Sequence, residues 1–309
     1  MPQTTENNDR NNHSTDNSNN VSGHANVYVV FGATGKQGGA AARALLRRGH
    51  RVRAVARDPR SARSAELSRQ GAELVAGDME DPQSLDAALK DAYGVFSVQT
   101  FTGPDGSAGE LRQGKAVASA AARADVAHFV YSSVGGAERA SGVEHFETKG
   151  RVEEHIAALG LPTTVLRPTM FIENFTGMGP VREDGELTLT LALAPDTTLQ
   201  MIATEDIGHF AAEAFEHPET YLGRRIEIAG DELTGPQMAE VFQRVCGHPV
   251  RFRSQPPAEL RALSEEAATM FGWFDTHGFQ ADLPALRALH PGLITLETWA
   301  THHWAPPAG

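Results

Sequence analysis

From Asn26 onward, short apolar runs alternate with segments whose apolar residues recur at helical spacing. Val27 to Phe31 is one such run, a glycine cluster follows it, and Ala40 to Arg48 then adopts the helical period. This is the pattern of strand, tight turn and helix. The unit recurs, with strands predicted at Arg51 to Ala56, Glu73 to Ala76, Gly94 to Val98, His128 to Tyr131 and Thr163 to Arg167. Helices are predicted between them at Ser61 to Gln70, Pro82 to Lys90, Gly109 to Ala124 and Phe146 to Leu159. Such alternation implies parallel strands joined by right-handed crossovers, an α/β fold with a doubly wound parallel sheet spanning residues 26–168. After Pro168 the alternation stops. Strands at Leu187 to Ala192, Arg225 to Ala229 and Val250 to Arg253 mix with helices at Ile207 to Glu216, Gly235 to Cys246 and Pro257 to Met270. Residues 169–309 therefore read as a smaller α+β part facing the carboxyl ends of the parallel strands. Residues 1–25 are rich in Asn, Ser and Thr, with Met1 and Val21 the only aliphatic side chains larger than Ala. Too little apolar surface is available there to offset chain entropy, so a disordered tail is expected.

Composition narrows the function classes. The chain has 309 residues, with 27 Lys+Arg against 39 Asp+Glu for a formal charge of −12. An acidic balance opposes a broad grip on nucleic acid or an anionic membrane, both of which need clustered positive charge. Cys246 is the single cysteine, which excludes an intramolecular disulfide and fits a reducing compartment. There is neither an apolar run of membrane-spanning length nor an apolar signal core, so the expected location is cytoplasmic.

The sharpest motif is Gly32-Ala33-Thr34-Gly35-Lys36-Gln37-Gly38-Gly39, placed directly after the first strand and opening a helix. Glycines at this spacing allow a tight turn, a close approach of backbone to a pyrophosphate, and packing of helix on strand, while the free N–H groups of the helix start meet the phosphates. A dinucleotide site is the reading. The second strand ends at Arg57 rather than at the acid that would accept hydrogen bonds from ribose hydroxyls. A guanidinium there suits a 2′-phosphate, and Lys36 leans the same way, so NADP(H) is favoured over NAD(H). The bland alternative is a solvated loop arginine. Asp78, after the third strand, has two readings: acceptor for the adenine amino group, or cap of a short turn. Gln99 and Thr100 close the fourth strand, where polar tips lie over the middle of the cofactor.

Together with that loop, the chain carries Arg57-Asp58-Pro59, Gly77-Asp78, Gln113-Gly114-Lys115, His145-Phe146-Glu147-Thr148-Lys149-Gly150, Leu166-Arg167-Pro168 and Phe171-Ile172-Glu173-Asn174. In these motifs it resembles the NmrA-like family, atypical relatives of the short-chain dehydrogenases, from about Val27 to the Leu296-Glu297-Thr298-Trp299 segment. The resemblance implies a Rossmann domain holding NADP(H) or NAD(H), and in many members a sensor of the dinucleotide ratio that regulates partner proteins. Carried over by position, it puts Gly32, Thr34, Gly35, Gln37 and Gly38 at the cofactor, Arg57 near the adenosine phosphate, and Asp78 and Met79 at the adenine. Gln99, Thr100 and Phe101 would lie at the middle, Lys149 at the nicotinamide ribose, and Phe171 to Asn174 beside the nicotinamide.

Ordinary short-chain dehydrogenases use Tyr-x-x-x-Lys, whose members share a helix face at i and i+4. Here the lysine is Lys149 and the tyrosine position holds His145. His145 reads either as a proton donor or as a positioning or surface residue. Ser132 and Ser133 end the fifth strand, to polarise a substrate carbonyl or to satisfy a turn. They form no hydrolase elbow, because Tyr131 stands where G-x-S-x-G needs glycine. Among 13 histidines no zinc-binding helix motif occurs, and no metal site is expected. Phe271, Trp273, Phe274, Trp299 and Trp304 read as core of the second part. The leading expectation is a redox-responsive regulator that binds NADP(H). The rival is an NADPH-dependent reductase of a small quinone-like or aromatic substrate. Beyond the dinucleotide, the candidate partners are a second protein or another copy of this chain.

Overall fold

The computed structural model describes residues 26–307; the tail expected at residues 1–25 lies outside them. The first half alternates as expected: β1 (Val27–Val30), α1 (Lys36–Arg47), β2 (Arg51–Ala56), α2 (Ala62–Arg69), β3 (Glu73–Ala76), α3 (Pro82–Ala88), β4 (Gly94–Ser97), α4 (Gly106–Arg123), β5 (His128–Ser132), α5 (Glu144–Ala158) and β6 (Thr163–Pro168). The second half holds β7 (Met170–Phe171), α6 (Phe175–Met178), β8 (Val181–Glu183), β9 (Glu186–Leu191), β10 (Thr198–Ile202), α7 (Thr204–Glu216), α8 (Pro218–Tyr221), β11 (Arg225–Ile228), β12 (Asp231–Thr234) and α9 (Gly235–Cys246). It closes with β13 (Val250–Ser254), α10 (Pro257–Leu263), α11 (Glu265–Thr276), α12 (Leu283–Leu289) and α13 (Leu296–His303).

Seven strands form one sheet in the order β11-β6-β5-β4-β1-β2-β3, and each neighbouring pair is parallel. This is the Rossmann order, with its switch point between β1 and β4. Helices cover both faces, which is why β1 is apolar and buried at every position rather than alternating. On one face Ala41 and Leu45 of α1 pack with Ile207 and Phe210 of α7. On the other, Leu85 of α3, Val117 and Ala121 of α4 and Val152 and Ile156 of α5 form a second apolar cluster.

The strand expected at Arg225 to Ala229 does form, but it pairs with β6, Arg225 opposite Val165, and so extends the large sheet. Its short polar-apolar pattern carries no information about which neighbour it will meet. The remaining strands make two three-stranded sheets, β12-β10-β7 and β13-β9-β8. Phe271, Trp273, Phe274 and Trp299 are buried in the core of this part, with Trp304 packed against them, as their clustering suggested. The helix expected at Pro257 to Met270 is broken in two, because Ser264 leaves the helical conformation and its Oγ accepts from the Ala267 N–H at 3.1 Å, starting α11 afresh.

Candidate functional site

The glycine loop occupies the carboxyl end of β1. Gly32 has φ +68°, and the Gly35 N–H donates to the Gly32 carbonyl at 2.9 Å to close the turn. Gly35 then starts α1 with no side-chain cap and no acid in the first turn. The first N–H groups of that helix thus face the loop without a side-chain acceptor, the geometry of an anion seat. A Cβ on Gly38 would lie 2.3 Å from the Gly32 carbonyl oxygen, so only glycine lets the helix start approach the loop this closely.

Along the edge toward β3, Lys36 and Arg57 are exposed. Neither has an ion-pair partner among the described residues. Thr34 is half-buried within the loop. Asp78 Oδ1 accepts the Glu80 N–H at 3.0 Å while the Asp78 N–H donates to Ser84 Oγ at 2.9 Å; the turn-capping reading of this carboxylate is what the geometry displays. Met79 packs on the apolar cluster under β3. Gln99 is buried, its Nε2 donating to Ser97 Oγ at 2.9 Å and reaching Met79 Sδ at 3.7 Å, while its Oε1 has no partner. Thr100 is exposed, and Phe101 follows it. The ends of β1, β2, β3 and β4 thus bring these residues onto one edge. A glycine cradle, an uncapped helix start and two unpaired cations fit a diphosphate-linked dinucleotide.

At the other end of the edge, α5 carries His145 and Lys149 one turn apart. Lys149 is buried, its Nζ 2.9 Å from Glu110 Oε1 and 6.0 Å from the centre of the Tyr131 ring. Thr148 Oγ1 donates to the other oxygen of Glu110 at 2.7 Å. Burial, together with the charges of Glu110 and Glu153, pushes the Tyr131 phenol well above its ordinary range, so it stays protonated. His145 stacks on Phe101 with ring centres 4.2 Å apart, and its Nδ1 lies 2.6 Å from Glu266 Oε1. An ionised carboxylate only accepts, so this nitrogen carries the proton. Burial lowers the His145 pKa below the ordinary 6.5, with Glu266 pulling the other way.

The serines divide their roles. Ser132 Oγ donates to Gln37 Oε1 at 2.6 Å, tying β5 to α1. Ser133 is buried and donates to Glu153 Oε1 at 2.5 Å; Arg167 holds the same carboxylate through Nε at 3.1 Å and Nη2 at 2.7 Å. Phe171 ends β7, and Asn174 is exposed in the single 3₁₀ turn that follows. Glu110 and Glu266 were not singled out from the sequence. A carboxylate on the apolar face of a helix, one turn before Gly114, was a readable sign for Glu110. Glu266 offered none, because Ser264-Glu265-Glu266 reads as an ordinary helix start.

Other side-chain clusters and cavities carry different chemistry. Ligand atoms of Glu213, Glu216 and His217 fall within 4.8 Å of one another, but Arg48 pairs with both carboxylates and His50 with Glu216, so their charge is already balanced. Two cavities of about 420 and 500 Å³ are lined by Thr198, Gln200 and Phe279 in one case and by Arg43, Glu173 and His303 in the other. No helix among the described residues is long and apolar enough to cross a membrane.

Comparison with known proteins places this edge in context. An NAD(P)H azoreductase of Xenophilus azovorans is 29% identical over 228 residues, covering 73% of this chain and 76% of its own. Among solved structures, NmrA, a negative transcriptional regulator in complex with NADP, superposes with a TM-score of 0.78 at 24% identity, over 91% of this chain and 95% of that one. The NADPH-dependent quinone oxidoreductase QOR2 of Escherichia coli, complexed with NADPH, also gives 0.78, at 22% identity over 90% of this chain and all of its own. The sequence pattern of the NmrA-like family matches residues 25–299, nearly the whole described chain, and this protein belongs to that family.

Proposed function

We propose that this protein binds NADP(H) across the carboxyl edge of its large sheet and uses it to reduce a small quinone-like or aromatic acceptor. Gly32, Gly35 and Gly38 with the start of α1 seat the diphosphate. Arg57 and Lys36 take the 2′-phosphate, Asp78 and Met79 flank the adenine, and Gln99 to Phe101 line the middle. Lys149 holds the nicotinamide ribose, while Phe171 and Asn174 bound the nicotinamide. The bound dinucleotide supplies hydride chemistry.

The observation that carries the reductase reading is the pair His145 and Glu266, 2.6 Å apart and contributed by the two parts of the molecule. With Nδ1–H committed to Glu266, Nε2 is the nitrogen able to take a proton from solvent and pass it to an acceptor that has gained hydride. Glu266 compensates the imidazolium charge during that transfer. Acceptors that stabilise their own reduced anion need little acid catalysis, which suits a site without the usual tyrosine.

A different observation favours a second reading, a dinucleotide-ratio sensor acting on a partner protein. Ser133 gives its hydroxyl hydrogen to Glu153, so it is not free to polarise a substrate carbonyl. NADPH oxidation across a panel of quinones, aldehydes and aromatic dyes separates the two. Turnover that disappears in Lys149→Ala supports the reductase; intact NADPH binding with no turnover on any acceptor leaves the sensor.

A further inference from the structure

Among the described residues, Gln99 Oε1, Glu110 Oε1, Tyr131 Oη and Lys149 Nζ are buried polar atoms that lack a hydrogen-bond partner. They come from the end of β4, from α4, from β5 and from α5, and their burial makes each unmade bond costly. Glu110 Oε1 forms an ion pair with Lys149 Nζ at 2.9 Å. The carboxylate balances the ammonium charge while a single facing oxygen takes one of its three N–H groups and leaves two for other acceptors.

The backbone explains why the pair is so close. One turn along α4 from Glu110 stands Gly114, where a Cβ would lie 2.7 Å from Val152 Cγ2 and 3.3 Å from Gln99 Oε1. Val152 is in turn three residues beyond Lys149 on α5. Without a side chain at Gly114, α4 settles against α5 and brings Glu110 onto Lys149. Thr148 Oγ1 fixes the carboxylate from the far side by donating to its second oxygen. The Glu110 side chain is 0% exposed and that of Lys149 is 8% exposed.

We propose that Glu110 is a positioning residue for the dinucleotide: its carboxylate holds the Lys149 ammonium in place, with the remaining N–H groups of that ammonium available to the ribose hydroxyls on the nicotinamide side. This rests on the proposed placement of the cofactor along the edge. A buried ammonium without a counter-charge is strongly disfavoured. The other charged or titratable groups facing Lys149 are Tyr131 from β5, His145 and Glu153 on its own helix, and Glu266 from α11 acting through His145. Glu153 is engaged by Arg167 and Glu266 by His145, so Glu110 is the carboxylate that answers Lys149.

The role is confined to the nicotinamide half of the ligand, and two probes test it by calorimetry: NADPH, and 2′,5′-ADP, which keeps the adenosine 2′-phosphate but has no nicotinamide ribose. Glu110→Gln is expected to weaken NADPH about tenfold to a hundredfold, the worth of a charge-assisted hydrogen bond. The affinity for 2′,5′-ADP should stay within about twofold, the scatter expected of a site distant from the change. Glu110→Asp, which keeps the charge but draws it back, should lose part of the NADPH affinity only. In a Lys149→Met background, Glu110→Gln should have no further effect on NADPH. Equal loss for both probes, or unchanged NADPH binding, overturns the proposal; if Glu110→Gln does not fold, the same two outcomes are read from Glu110→Asp. Failure of the unaltered protein to bind NADPH would instead overturn the cofactor placement itself.

Discussion

His145 on α5 and Glu266 on α11 are 121 positions apart in the chain, yet their side chains meet at 2.6 Å and so pin the smaller part of the molecule to the edge of the large sheet. The imidazole is squeezed from three sides, by Phe101 stacked at 4.2 Å, by Phe146 edge-on at 4.8 Å and by the carboxylate. Burial pushes its pKa down and Glu266 holds it up. Removing the charge with Glu266→Gln should therefore move the His145 titration to lower pH, read as the midpoint of its ring-proton shift in NMR. If His145 passes the proton during reduction, kcat with a quinone acceptor should fall in the same variant while NADPH affinity is kept. A midpoint that rises, or does not move, contradicts the assigned pair.

The glycine loop permits a stricter test. A methyl group on Gly38 would meet the Gly32 carbonyl oxygen at 2.3 Å, and because the clash is with backbone, no rotamer change relieves it. Gly38→Ala should destabilise the fold by about 1 to 3 kcal/mol, the usual range for overpacking, seen as a lower urea midpoint. The same shift opens the loop over the helix start, so dinucleotide binding should be lost even at temperatures where the variant is folded. Unchanged affinity would mean that the diphosphate sits elsewhere.

What could be read from the sequence, and what could not, follows from how local each signal is. The strands β1 to β6 and the glycine loop were legible because an apolar run bounded by a turn is a property of a few consecutive residues. The membership of β11 in the large sheet was not, since Arg225–Ile228 has the same pattern whichever strand it pairs with. The break at Ser264 was hidden for a related reason: a serine inside a helical period is tolerated until its hydroxyl caps the next turn. At the site, His145 and Lys149 stood out by their i, i+4 spacing. Their partners Glu110 and Glu266 arrive from helices 35 residues or more away, and no spacing rule reaches that far.

Acid stability supplies a prediction from a group outside the site. His128 is buried at the start of β5, and its Nε2 lies 2.8 Å from Thr164 Oγ1, whose own hydrogen is given to the Tyr221 carbonyl at 2.9 Å. His128 must then donate through Nε2, leaving Nδ1 bare and the ring neutral. Burial lowers its pKa from 6.5 to about 4. Because the folded value is below the unfolded one, the unfolded chain takes up the proton first as pH falls. Stability is full above about pH 6.5 and declines between there and about pH 4, by up to roughly 3 kcal/mol if the whole shift is expressed. Urea midpoints measured across that window should fall for the unaltered protein and fall less steeply for His128→Gln. Equal slopes would place the acid sensitivity in another group. His209, which burial and its positively charged neighbours also lower to about 4, is the first alternative to test.

In the proposed placement of the cofactor, Arg57 is the residue that selects between NADP(H) and NAD(H). It follows β2 at the point where NAD-selective sites place an acid, it is exposed, and no carboxylate among the described residues engages it. An unpaired guanidinium gains most from a phosphate, through two parallel N–H groups that a ribose hydroxyl cannot match. Arg57→Ala should therefore weaken NADPH about tenfold to a hundredfold, from a charge-assisted hydrogen bond of about 1.5 to 3 kcal/mol, and leave NADH nearly unchanged. Lys36, the exposed first residue of α1, is assigned to the same phosphate, so Lys36→Ala should also weaken NADPH more than NADH, by a smaller factor than Arg57→Ala. Isotherms for NADP⁺, NADPH, NAD⁺ and NADH with each variant give the comparison directly. Equal losses for NADPH and NADH in Arg57→Ala would take the 2′-phosphate away from this residue, because a side chain that reads only that phosphate has nothing to lose when it is absent.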